Sequence, residues 1–98
     1  MPGKVWIEGS SLFLSGPVDF GNADSLCRDG LRLLATAGPE VTVDLSSMEG
    51  GGSVMVAVLL QWLRASAAAG RHLRIVGLTD KLHAIIRVSG LQDLIPES

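Results

Sequence analysis

The sequence predicts an α/β fold: a mixed sheet of about four strands with helices packed on it, in the order β-β-α-β-α-β-α. Three observations carry this. Four short runs alternate apolar and polar residues, three longer runs repeat apolar residues at helical spacing, and the two kinds take turns after the first pair. Glycine or proline marks most of the boundaries.

Lys4 to Glu8 sets Val5 and Ile7 on one face and Trp6 on the other, a strand. A turn at Gly9-Ser10-Ser11 leads to a second strand, Leu12 to Ser15, which pairs with the first as a hairpin and stops at Gly16-Pro17. From Asn22 to Thr36 the apolar positions Ala23, Leu26, Cys27, Leu31 and Leu34 follow a helical period. Asp19, Asn22 and Asp24 gather at its start, where capping and acidic side chains are favoured. Gly30 weakens its middle by about 1 kcal/mol relative to alanine, so a close approach by a neighbour is the reason to look for.

Val41, Val43 and Leu45 read as a buried strand. Val54 to Ala69 is a second helix, closed by Gly70 as a left-handed cap. His72 to Val76 is the last strand. Thr79 caps a third helix with Leu82, Ile85, Ile86 and Ser89 on one face, stopped by Gly90, with Leu91 folding back and a short tail carrying Leu94 and Ile95. No repeat, linker or low-complexity tract interrupts residues 1–98, which read as one domain.

Composition narrows the function. The net charge of −2 supplies no basic footprint, so nucleic acid is not an expected partner. Hydrophobic residues make up 47% of the chain and mean hydropathy is +0.38. That is apolar for so small a domain, so either the core is unusually complete or one face is kept for a partner. Cys27 is the only cysteine, which rules out an intramolecular disulfide and agrees with a reducing compartment. The start, Met1 to Trp6, has no apolar signal-peptide core. The longest apolar run, Val54 to Leu60, is far short of the ~20 residues of a membrane span. A cytoplasmic protein is expected, reaching a membrane only through a partner.

The most informative stretch is Asp44 to Leu60. The strand ends at Asp44-Leu45, a loop with Gly50, Gly51 and Gly52 follows, and Ser53 opens an apolar helix. A hydroxyl there lies at the positive end of the helix dipole, a place to cap the helix, to hold a phosphate or to meet a partner. The carboxylates of Asp44 and Asp19 are read as structural, accepting nearby loop amides. Along the helix Val56, Leu59, Leu60, Leu63 and Ala67 share the core stripe. Met55, Val58 and Trp62 share a flank that is either covered by neighbouring helices or exposed as a docking edge. Gly51, Gly52, Ser53, Met55 and Val56 are the candidate partner-binding residues.

Nothing in the chain points to an enzyme. His72 and His83 are the only histidines and neither belongs to a metal-ligand spacing. Gly50-Gly51-Gly52-Ser53 lacks the Gly-Lys-Ser/Thr ending of a P-loop and is not a Gly-x-Ser-x-Gly elbow. No cofactor, metal or catalytic residue is expected.

In order and spacing these elements resemble the STAS domain, the module shared by anti-sigma-factor antagonists, sulfate transporter tails and the small STAS subunit of Mla-type phospholipid ABC transporters. Gly16-Pro17-Val18-Asp19 is similar to the family's turn into the first helix. Val41-Thr42-Val43-Asp44-Leu45-Ser46 is similar to its central strand, and Gly51-Gly52-Ser53 falls on its switch loop. Leu59-Leu60, Gly77-Leu78-Thr79 and Val88-Ser89-Gly90-Leu91 match further along. The resemblance implies a STAS-like sheet of about four strands with helices mainly on one face. It also implies that Ser53 occupies the position antagonists phosphorylate. Gly52 stands where the family usually has aspartate, and Val54-Met55 replaces small residues, which suits constitutive binding better than a switch. With the tail Leu91-Gln92-Asp93-Leu94-Ile95-Pro96, the resemblance implies a cytoplasmic accessory subunit, peripheral to the inner membrane. Its partner would be the ATPase of a phospholipid ABC transporter that maintains outer-membrane lipid asymmetry. The alternative it implies is an anti-sigma-factor antagonist whose partner is an anti-sigma factor kinase.

Overall fold

The computed structural model describes residues 3–95. Met1, Pro2 and residues 96–98, including Pro96 of the tail, lie outside the described residues. The elements run β1 (Lys4–Glu8), β2 (Ser11–Val18), α1 (Ala23–Leu34), β3 (Glu40–Gly50), α2 (Gly52–Ala68), β4 (His72–Val76) and α3 (Asp80–Val88). The expected order holds throughout.

The four strands lie side by side in chain order. β1 and β2 form the hairpin, with Trp6 opposite Phe13, and β2, β3 and β4 are parallel. Each parallel pair is joined by one helix, and such crossovers are right-handed almost without exception. The sheet grows in one direction, so both crossovers lay their helices on the same face. Leu12, Leu14, Val41, Val43, Leu45, Leu73 and Ile75 alternate onto that face and are buried there. The opposite face carries Thr42, Asp44 and Arg74, and Trp6 and Phe13 stack on it with ring centres 5.5 Å apart.

Two strands are longer than the sequence reading. Gly16-Pro17 does not end β2, which continues to Val18, and β3 does not end at Leu45 but runs on to Gly50. Both extensions pair with each other, Gly16 with Met48 and Val18 with Gly50. The break in β3's alternation has a physical cause. Between Phe13–Asp44 and Ser15–Ser47 the register shifts, leaving one extra residue on β3. The slip exchanges the two faces, so after Val41, Val43 and Leu45 the next buried residue is Met48.

α1 and α2 interlock at Gly30. A Cβ there would lie 2.3 Å from Trp62 Cζ2, so only glycine admits the indole ring. Trp62 is fully buried, and its Nε1 donates to the Cys27 carbonyl at 3.0 Å. This corrects the stripe read from the sequence. The buried residues of α2 are Met55, Val56, Val58, Leu59, Trp62 and Ser66, whereas Leu60 and Leu63 are half-buried and Ala67 is exposed. α2 packs against both α1 and α3, so its Met55–Trp62 flank is core and not an edge. On α3 Leu82 and Ile86 are buried, Ile85 is half-buried and Ser89 is exposed. Thr79 caps α3, accepting from the Leu82 amide at 3.2 Å. Gly90 turns left-handed at its end, and Leu91 N donates to Ile86 O at 2.9 Å.

Candidate functional site

The site is the rim where β2 and β3 end and α2 begins. The Gly51 amide donates to Val18 O at 3.1 Å, which ties the β3–α2 junction to the end of β2. With β3 extended to Gly50, only one residue separates strand from helix. The direction of the chain must reverse within that space. Gly50, Gly51 and Gly52 all have positive φ, at 70°, 94° and 49°, a run that residues with a Cβ adopt only under strain. At Gly51 a Cβ would also crowd the Met55 Cβ at 2.9 Å.

Ser53 does not cap α2. The cap position is Gly51, no side chain bonds to the first-turn amides, and Ser53 is the second helical residue. The lengthened β3 and the left-handed glycines start the helix two residues earlier than the sequence reading places it, at Gly52 and not at Val54. Ser53 is exposed, so its hydroxyl faces outward from the rim. Gly51 and Gly52 are half-buried beside it. Met55 is fully buried and Val56 is 5% exposed, so their side chains belong to the core and offer no surface. The residues that α2 does present below Ser53 are Ala57 and Gln61, one and two turns on.

The two carboxylates read as structural, Asp19 and Asp44, are both engaged locally. Asp19 Oδ1 accepts from the amides of Gly21 at 2.8 Å and Asn22 at 3.0 Å. Asn22 returns the contact, its Oδ1 accepting from Asp19 N at 2.9 Å and its Nδ2 donating to Pro17 O at 2.7 Å. The loop into α1 is therefore tied to the end of β2. Asp44 lies inside β3 and not at its end. Its Oδ1 accepts from both the hydroxyl and the amide of Ser46, which hold its carboxyl below the usual carboxylate range. This small loop sits on the extra residue of β3.

Three exposed residues near the rim escaped the sequence reading. Phe20 is 90% exposed in the loop before α1, and Val88 is 87% exposed at the end of α3. Lys81 stands beside Gly52, where a Cβ would lie 3.9 Å from its Nζ. The signal for Val88 was available, because it falls off the Leu82–Ile86 stripe. For Lys81 and Phe20 no local pattern exists, since both depend on how separate elements meet.

Residues 7–96 match the family model described as "Mlab, STAS domain". A chain of the Acinetobacter MlaFEDB complex in an ATP-bound conformation is similar at 30% identity and a TM-score of 0.78, covering 94% of this chain and 97% of that one. The anti-sigma factor antagonist SpoIIAA in its unphosphorylated form shares 11% identity at a TM-score of 0.74, covering 99% of this chain and 88% of its own. A putative anti-sigma factor antagonist from Thermotoga maritima shares 15% identity at a TM-score of 0.78, covering 97% and 84%. No curated protein matches the sequence. Among the described residues, no helix is long and apolar enough to cross a membrane. By the match over nearly its whole length, the chain belongs to the STAS domain family.

Proposed function

We propose that this chain is a non-enzymatic accessory subunit that binds and stabilises the cytoplasmic ATPase of a bacterial phospholipid ABC transporter, of the kind that maintains outer-membrane lipid asymmetry. The observation that carries this reading is the likeness to the MlaFEDB chain, at 30% identity over 97% of that chain. The antagonists share the fold at 11% and 15% identity. In this reading the rim of Gly51, Gly52 and Ser53 rests on the ATPase, and the glycines let the partner's backbone come close. Met55 and Val56 act from beneath by fixing the first turn of α2. The subunit would sit on the cytoplasmic side, at the inner membrane only through its partner.

A second reading is supported by the outward-facing Ser53 hydroxyl and the shared fold of the antagonists. Here the partner is an anti-sigma factor kinase, and phosphate on Ser53 switches binding off by adding about −1.5 to −2 charges. One experiment separates the two. The tagged full chain is isolated from its native host at native expression, and both the partners and Ser53 are examined by mass spectrometry. Recovery of an ABC ATPase with unmodified Ser53 supports the first reading. Recovery of a kinase, with one phosphate on Ser53 in the unbound pool, replaces it with the second.

A further inference from the structure

Asn22 stands where a side chain usually caps α1, yet it makes no cap bond. Its polar groups are spent on the end of β2. Nδ2 donates to Pro17 O at 2.7 Å in a partly buried bond, and Oδ1 accepts from Asp19 N at 2.9 Å.

The sheet leaves Pro17 O in need of such a partner. β1 accompanies β2 only as far as the pair Lys4–Ser15. Among the described residues, the extension Gly16–Val18 therefore has β3 on one side and no strand on the other. Successive carbonyls of a parallel strand point to opposite sides. Val18 O takes the Gly51 amide at 3.1 Å, so Pro17 O points away from β3. Asn22 fills the place a further strand would have taken. The bond is also closely covered, because a Cβ on Gly3 would lie 2.5 Å from Pro17 O and 3.1 Å from Asn22 Nδ2.

The same strand end anchors the turn that leads to Ser53. Gly50, Gly51 and Gly52 have wide backbone freedom. Gly51 is held by its amide, which donates to Val18 O, and by its carbonyl, which accepts from Met55 N at 3.2 Å. The second bond lies within α2, so the first is the turn's last link to the sheet. The bonds from Asn22 and from Gly51 thus land on adjacent carbonyls, those of Pro17 and Val18.

We infer that Asn22 is a positioning residue of the Ser53 rim. By holding Pro17 O it keeps the end of β2 in line, and through the bond from Gly51 N to Val18 O it keeps the glycine turn in one shape. The inference rests on the reading of that rim as the surface that meets the partner. It adds a residue away from the rim that sets the rim's shape before the partner arrives.

Amide exchange in the free full chain, resolved by NMR, tests the positioning. Asn22→Ala removes both side-chain bonds. Asn22→Asp keeps an oxygen for Asp19 N and a side chain favoured at helix starts, but at neutral pH it cannot donate to Pro17 O. Thr79→Ala removes the α3 cap and controls for general loss of stability. The Gly51 amide should exchange roughly tenfold faster in both Asn22 variants, as expected when an enclosed carbonyl loses its donor, with α3 amides unchanged. Thr79→Ala should show the reverse. Wild-type protection of Gly51 in Asn22→Asp overturns the inference, and so does exchange in Asn22→Ala no faster than in Thr79→Ala. If Asn22→Ala does not fold, Asn22→Asp decides alone.

Recovery of an ATPase with each tagged full chain from the native host links the turn to docking. Both Asn22 variants should recover roughly threefold less than wild type, because fewer of their turns hold the docking shape. Thr79→Ala should match wild type. If the Asn22 variants recover the ATPase as well as wild type although Gly51 exchanges faster, the inference fails and the accessory-subunit reading stands. If wild type recovers no ATPase, that reading fails, and Gly51 exchange alone decides whether Asn22 holds the turn.

Discussion

Replacing Gly30 by alanine should be among the most damaging single-methyl changes in this protein, although on an isolated helix it would stabilise. Alanine gains about 1 kcal/mol of helix propensity over glycine. Against that, the new Cβ would lie 2.3 Å from Trp62 Cζ2, 2.4 Å from Cε2 and 2.6 Å from Nε1. Carbon contacts settle near 3.5–4.0 Å, so the ring must move by more than about 1 Å. Trp62 is fully buried, and protein interiors are close-packed. Overpacking of this kind costs about 1–3 kcal/mol. Moving the ring also strains or breaks the Nε1 bond to the Cys27 carbonyl, and a buried donor left unpaired costs about 1–3 kcal/mol more. The balance is a loss of about 3 kcal/mol, or roughly 10–25 °C in Tm for a domain of this size.

Urea and thermal unfolding followed by far-UV circular dichroism would measure it. The companion variant Gly30→Ala/Trp62→Leu makes room for the methyl, so it should be more stable than the sum of the two single changes predicts. The expected coupling is about 1–3 kcal/mol. A Gly30→Ala protein that melts at or above the wild-type temperature would refute the reasoning, because propensity would then have outweighed the contact.

Three further outcomes follow from the site and its surroundings. Since Ser53 makes no capping bond, Ser53→Ala should change stability by less than about 0.5 kcal/mol, and Ser53→Asp should stabilise slightly through the helix dipole; yet Asp should abolish partner recovery, and a normal pull-down would take Ser53 off the interface. The Asp44 carboxyl is held low by the Ser46 hydroxyl and then its amide, so its contribution is complete above the unfolded value of about 3.9 and fades as pH falls through the lower folded value. Asp44→Asn should remove that part of the acid sensitivity, a small effect at this exposed site, read from urea midpoints between about pH 5 and pH 2. Burial, and after it the Asp24 charge, raises the Cys27 thiol above its ordinary value, so alkylation by iodoacetamide at neutral pH should be slow; Asp24→Asn should speed it, and no change would remove Asp24 as a cause.

The element order was legible because each short strand alternates cleanly and each helix carries its own stop signal. Gly90 followed by Leu91 is such a signal, and Thr79 is the matching start. The end of β3 was not legible for a definite reason. A period of two identifies a strand only while the register holds, and the extra residue between Asp44 and Ser47 shifts Met48 onto the face that Leu45 occupied. Asp44-Leu45-Ser46 looks like a strand ending because it is a small hydrogen-bonded loop set into a strand that continues. α2 failed differently. It is apolar almost all the way round, so no stripe stands out in its sequence. Its orientation is decided by a hole at Gly30 on another helix, thirty-two positions before the Trp62 that fills it.

Those two features also determine the shape of the Ser53 rim. The pairing of Val18 with Gly50 carries β3 to the very end of β2, and the three left-handed glycines then turn the chain without placing a side chain on the rim. Ser53 is therefore the first side chain after the turn, and it is exposed. Trp62 in the Gly30 notch fixes the rotation of α2 and so turns Met55 inward and Ser53 outward. The two lie two residues apart, about 200° around the helix. Had the flank of Met55, Val58 and Trp62 been the exposed edge that the sequence left open, Met55 would lie on the surface and the rim would be greasy. Instead the apolar surface near Ser53 is supplied by α3, through Ile85 and Val88, with Lys81 at its head. Helix rotation thus decides which side chains this end of the domain exposes, and a notch on α1 makes that choice.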